Sequence, residues 1–140
     1  MKGGGLQLYL SEKLNSSKCT VFEEHDVNES IWCKVDTNIG KVLIGMCYRS
    51  PSSTKQNNDK LMKILQEAAK QRGIKHVNVF GDFNYPEIDF ESQSVNAGDE
   101  ASATQFFNAV NDLFWIQNRP EFVKDGNRLC WITSSQMKTT

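Results

Sequence analysis

The four cysteines of this 140-residue chain, Cys19, Cys33, Cys47 and Cys130, stand far apart, with no C-x-x-C pair and no knuckle spacing. That lack excludes the common zinc modules. A long apolar run is missing as well. Met1-Lys2 leads into three glycines and an apolar stretch broken by Gln7, too short and too polar for a signal peptide or a membrane span. Net charge is nearly absent, −1 at neutral pH, which removes any global attraction to nucleic acid. Internal repeats and low-complexity tracts are lacking too. His25 lies among acids with no partner at metal spacing and reads as a surface residue. The expectation is one soluble, intracellular domain, nuclear or cytoplasmic and not secreted, with Cys33 and Cys47 as small buried hydrophobes of a reducing compartment.

Charge that is absent globally is present locally. Six bases between Lys55 and Lys75 face only Asp59 and Glu67, whereas Tyr85–Glu100 holds five acids and no base. Both runs read as solvated faces. Leu6, Leu8 and Leu10 alternate with Gln7 and Tyr9, the period of a half-buried strand. Ser16-Ser17 suggests a loop, Cys19–Glu23 a second strand and His25–Asn28 a polar turn. Ser30–Asp36 then sets Ile31, Cys33 and Val35 on one face and Trp32, Lys34 and Asp36 on the other. A tight turn at Asn38-Ile39-Gly40 joins it to the nearly continuous apolar run Lys41–Tyr48, a central strand covered on both faces. Leu61, Ile64, Leu65, Ala68 and Ala69 form the stripe of an amphipathic helix over Asp59–Arg72, capped by Asn57 or Asn58 and closed by Gly73. Ser102–Phe114 repeats the pattern with Phe106, Phe107, Val110, Leu113 and Phe114 as core. Trp115–Gln117 reads as the exit into a loop, and Arg128–Thr133 as a last strand.

The stretch with most chemistry is His76–Pro86, HVNVFGDFNYP. Val77–Phe80 has the composition of a buried strand, and it stops at Gly81 with Asp82 and Asn84 just beyond. If the extended backbone persists through Phe83, Asp82 and Asn84 share a face and Phe83 turns the other way. A carboxylate beside an amide suits a bound water, a divalent ion or a phosphate oxygen. The same letters also close a polar turn, and the pattern alone favours that simpler reading. Tyr48 and Arg49 end the earlier apolar strand, where a phenol and a guanidinium can bind phosphate or can equally be boundary residues. The intervening helix is a crossover, and a right-handed one brings both strand ends to one edge.

Gly3–Leu10 (GGGLQLYL), Glu29–Val35 (ESIWCKV), Val42–Pro51 (VLIGMCYRSP), Gly81–Asp89 (GDFNYPEID) and Arg128–Ser134 (RLCWITS) occur in an order that resembles the endonuclease/exonuclease/phosphatase superfamily. Within it, the chain looks most like the endonuclease of LINE-type non-LTR retrotransposon reverse transcriptase polyproteins. The resemblance runs nearly end to end. It implies an α+β fold, part of a four-layer α/β/β/α sandwich of the DNase I type with mixed β-sheets flanked by helices. It implies magnesium-dependent hydrolysis of DNA phosphodiesters. Asp82 would orient or deprotonate the attacking water, Asn84 would position water or phosphate, and Tyr48 would bind the scissile phosphate, with Arg49 and Arg128 as further substrate contacts.

The chain departs from that family in specific ways. The family's metal-binding glutamate precedes the position of Gly3, Cys130 replaces an aspartate in the RLCWIT segment, and no terminal Asp-His pair follows. Such sandwiches run to roughly 200–250 residues. The expectation is therefore a partial domain over residues 1–134 with a disordered tail at 135–140, cut at both ends. As an isolated fragment it is expected to be inactive or to survive as a nucleic-acid-binding or protein-binding remnant. Expected partners are DNA, weakly, the remainder of a retroelement polyprotein, and a second copy through an exposed sheet edge.

Overall fold

A computed structural model describes residues 6–19, 30–89, 91–112, 116–118 and 130–135, the segments 116–118 and 130–135 for the backbone alone. Their elements are β1 (Asn15–Lys18), β2 (Ser30–Thr37), β3 (Gly40–Tyr48), α1 (Lys55–Ala69), β4 (Ile74–Asp82), β5 (Ile88–Asp89), β6 (Ser94–Val95), α2 (Ser102–Asp112), β7 (Ile116–Asn118) and β8 (Cys130–Ser135). Six strands form one mixed sheet in the order β1-β2-β3-β4-β8-β7, while β5 and β6 make a two-residue ribbon. Only β3 and β4 run parallel among the described pairs. Helix α1 is the crossover that such a pair requires.

The β2–β3 hairpin follows from its letters. Alternating residues pair from Ser30 with Cys47 to Thr37 with Gly40, leaving Asn38-Ile39 as a two-residue turn. Gly40 adopts φ +129°, a backbone that side chains rarely tolerate. Helix α1 starts four residues earlier than its apolar stripe suggests, because Thr54 rather than an asparagine caps it, its hydroxyl accepting from Asn57 N–H at 3.2 Å.

Leu43, Cys47, Val77 and Val79, all on one face of β3 and β4, are almost wholly buried against Leu61, Ile64, Leu65 and Ala68 of α1 and Ala103, Phe106 and Val110 of α2. This helix-covered face is the core. The two helices on one sheet supply a helical layer and a sheet layer of the expected sandwich among the described residues. The opposite face carries Val42, Ile44, Met46 and Phe80, increasingly open toward the carboxyl ends of the strands. No described helix is long and apolar enough to cross a membrane.

Several expectations need correcting. Leu6–Leu10 forms no strand, although its leucines are half-buried; the first strand is instead the polar Asn15–Lys18, read from sequence as a loop. Its pairing with β2, Asn15 opposite Asp36, satisfies the backbone of an edge whose side chains all face water, so hydropathy could not reveal it. Cys19 prolongs that pairing through its N–H to Trp32 O at 2.9 Å. The acidic loop contains the β5–β6 ribbon, anchored by buried Ile88. Ile116–Asn118 is a strand paired with β8 rather than a loop exit, and β8 runs on through Ser134 and Ser135. Thr20–Glu29, Leu113–Trp115 and Gln136–Thr140 lie outside the described residues.

One close approach dominates the β3–β4 pair. A Cβ built on Gly81 would collide with the backbone carbonyl oxygen of Cys47, and backbone cannot swing aside as a side chain tip can. Gly81→Ala is expected to destabilise the fold by about 1–3 kcal/mol or more, read as a lower chemical-denaturation midpoint at unchanged m-value. The Cys47 thiol is pushed up to about 12 by burial. The unfolded chain therefore releases that proton first, near the ordinary thiol pKa of about 8.5. Stability is complete below that pH and falls by roughly 1.4 kcal/mol per pH unit as pH rises toward the folded value. Buried Tyr85, whose phenol is also raised, adds to the loss with the same sign. Denaturation midpoints measured through this alkaline window should decline less steeply for Cys47→Ala than for the unsubstituted chain.

Candidate active site

The carboxyl ends of the parallel strands form a rim. Tyr48 and Asp82, the last residues of β3 and β4, are register partners, which puts their side chains on the same face of the sheet, away from the helices. This pairing depends on an irregularity. Lys41 pairs with Ile74 but Val42 pairs with His76, so Lys75 is an extra residue in β4. Had the first register continued, Tyr48 would have met Gly81 and Asp82 would have faced the helices. Tyr48 is 37% exposed at this rim. Cys130, the first residue of β8, lies opposite Gly81 on the other side of β4, so its backbone belongs to the same rim.

Beyond Asp82 the chain turns sharply. Asn84 takes φ +48°, so the extended geometry that would have aligned its side chain with Asp82 stops at the strand end. Phe83 does turn the other way, buried with its ring 5.0 Å from that of Phe106. Asp82 Oδ1 accepts the Asn84 N–H at 3.2 Å, and the Asn84 side-chain amide donates to the carbonyl of Arg49. The polar-turn reading is thus part of what these residues do. Asp82 Oδ2 has no hydrogen-bond partner among the described residues, which leaves that oxygen for a water or another ligand.

Arg49 corrects an expectation. It is buried, not presented to phosphate: Nε donates to Asn58 Oδ1 at 2.8 Å, and Nη1 to the carbonyls of Asn84 at 2.7 Å and Phe83 at 3.2 Å. Its guanidinium carbon lies 3.9 Å from the centre of the Tyr85 ring, a cation–π contact with most water excluded. Tyr85 in turn stacks on Phe106 at 4.7 Å. Burial pushes the Tyr85 phenol up, while the charge of Arg49 pulls it back. Arg128 lies outside the described residues.

Two residues escaped sequence reasoning. Asn58 was read as a cap, yet it is buried and faces the site. Its signal was available, because Asn58, Leu61, Leu65 and Ala68 continue the buried stripe of α1 one turn upstream, where a polar residue needs a partner. Tyr85 received no role, and only its contact with Arg49 shows one.

The donor set tests the implied magnesium. Among the described residues no group of three or more His, Cys, Asp or Glu side chains could hold a metal ion. One carboxylate, with an oxygen already bonded, and an amide turned to a carbonyl do not make a magnesium cage. The described rim by itself does not fit the metal.

Comparison with known proteins bears on the fold. The chain superimposes on the endonuclease domain of TRAS1, a telomere-specific non-LTR retrotransposon, with a TM-score of 0.55 over 86% of this chain and 67% of that one, at 10% identity. The fold is that of a retrotransposon endonuclease domain. It is α+β and DNase I-like, as the sequence motifs led one to expect. Neither the family models nor the curated proteins compared gave a match.

Among the described residues the buried Tyr85 hydroxyl has no partner at hydrogen-bonding geometry, Arg49 acting on it through its charge and close approach. Tyr85→Phe keeps the ring under Arg49 and removes an unsatisfied group, so thermal stability should stay level or rise by up to about 1 kcal/mol. Tyr85→Leu should lower it, because the aromatic face is lost. Paired melting curves of the two variants check this.

Proposed function

We propose that this chain is an endonuclease-like domain directed at the phosphodiester backbone of DNA. The observation that carries the reading is the register pairing of Tyr48 with Asp82 at the carboxyl rim of the parallel strands, in a chain with the fold of a retrotransposon endonuclease domain. An exposed phenol donates a hydrogen bond to a phosphate oxygen. A carboxylate on the adjacent strand, whose backbone lies about 4.8 Å away by the ordinary inter-strand spacing, orients a water toward phosphorus and takes up its proton. Asn84 keeps its amide oxygen as an acceptor for that water. The remaining need is relief of charge on the phosphate, which calls for acidic metal ligands beyond Asp82 or for cationic side chains from outside the described rim.

Exposed Lys63 on α1, Lys70 and Arg72 in the turn after it and Lys75 at the start of β4 offer a basic surface for phosphate contacts without sequence readout. Binding without cleavage is the second reading. The single-carboxylate donor set favours it over independent catalysis.

The test separates the two. The purified chain should bind duplex DNA with an affinity that falls steeply with salt, and Asp82→Ala should leave that binding intact or tighten it by removing a negative charge. Nicking of supercoiled plasmid across a magnesium titration should disappear in Asp82→Ala and slow in Tyr48→Phe. No DNA binding at low salt, or nicking indifferent to Asp82, would overturn the proposal.

A further inference from the structure

The geometry points to Arg49 as a positioning residue, a buried guanidinium that holds Asn84 in its left-handed backbone and thereby fixes the loop carrying Asp82. Every residue from Asp82 to Tyr85 meets it. The Arg49 N–H donates to Asp82 O at 2.8 Å, Nη1 donates to Phe83 O and Asn84 O, Asn84 Nδ2 returns a bond to Arg49 O, and Tyr85 lies flat beneath the guanidinium. The other branch of the fork, Nε, reaches Asn58 in the first turn of α1. One side chain therefore ties together the exit of β3, the start of the crossover helix and the exit of β4.

The energetics of this arrangement argue for a specific task. Arg49 as a whole residue is 9% exposed, so its guanidinium is largely withdrawn from water, and among the described residues no carboxylate pairs with it. Neutral carbonyls and an aromatic face are poorer compensation than an ion pair, so a well-packed apolar side chain would serve stability alone at least as well. What an apolar residue cannot do is pull two successive carbonyls inward. Bonds to Phe83 O and Asn84 O hold the peptide planes on both sides of the Asn84 α-carbon, the point where φ is positive and the chain would otherwise relax. Relaxation there would release the Asn84 N–H from Asp82 Oδ1 and free the carboxylate to rotate. Lysine cannot substitute in full, because an ammonium that reached the two carbonyls served by Nη1 would have no second nitrogen for Asn58 and no planar face to lie on Tyr85.

The consequence for catalysis rests on the proposed function, but the loop geometry does not, and the experiment separates them. Amide hydrogen exchange is measured on the full chain for Arg49→Lys, for Asn58→Ala, which removes only the Nε acceptor, and for Ile64→Val as a core control that lowers overall stability. Exchange at the Arg49 and Asn84 amides should rise by about tenfold or more in Arg49→Lys, and less in Asn58→Ala, relative to Val77 and Val79 in the same sample. Ile64→Val should move all four together. Equal rates at Asn84 with and without the guanidinium, or a rise no larger than that of the core control, would overturn the inference; should Arg49→Lys fail to fold, Asn58→Ala still decides it. In the cleavage arm, Arg49→Lys should lower kcat by about tenfold or more while KM on DNA stays nearly constant, since Tyr48 is held by β3. Absence of cleavage by the unsubstituted chain counts against the proposed function and leaves the exchange result to judge Arg49 alone.

Discussion

The parallel pairing of β3 with β4, in the register set by one extra residue at Lys75, is the constraint from which the rest of the molecule follows. Side chains alternate across a sheet with period two, so a shift of one residue exchanges the two faces of everything downstream. With Lys75 bulged out, Val77 and Val79 face the helices beside Leu43, and Asp82 faces away beside Tyr48. Core and site are thus fixed by the same register. Neither can be altered alone: a sequence that moved Asp82 to the helical face would also expel the valines that bury the sheet.

Glycine makes that pairing close enough to work. The Cys47 carbonyl sits where a side chain at Gly81 would be, so only a residue without a Cβ fits at that point of the pair. The residues that follow, Tyr48-Arg49 on one strand and Asp82-Phe83-Asn84 on the other, then lie within direct hydrogen-bonding reach, and Arg49 N–H bonds Asp82 O as if the ladder continued for one more rung. Phe83, turned back into the core against Phe106, anchors the loop from below while the polar residues stay at the rim. A buried aromatic and a buried guanidinium therefore share the work of shaping a turn only four residues long.

Legibility in the sequence followed how strongly each element is determined by its own residues. The β2–β3 hairpin and both helices were readable because burial on one face imposes a period, and the turn glycine leaves a local mark. Strand β1 was not, since Asn15–Lys18 is polar throughout and exists through its partner; Leu6–Leu10 had the alternation of a strand without a neighbour to pair with. The meeting of Tyr48 and Asp82 was inferable from strand, helix, strand. The reversal of roles at Asn84 and Arg49 was not. Letters identify a guanidinium near a strand end, but whether it faces water or lies beneath a loop depends on the left-handed backbone at Asn84, which only tertiary contact selects.

That reversal bears on how such a rim evolves and functions. An arginine exposed to solvent at a phosphate site is free to be exchanged for lysine or moved along the chain, because a solvated charge acts over a Debye length. An arginine used as Arg49 is used here is bound to its geometry, with Asn58, two carbonyls and Tyr85 all requiring the same planar fork. Its charge still contributes to the rim, since a desolvated cation beneath the loop raises the potential felt by any anion placed above it. On the proposed function, the same residue orders the Asp82 loop and favours a phosphate over it without touching either reactant, which is a sufficient physical reason to keep a charge buried where an apolar side chain would serve stability at least as well.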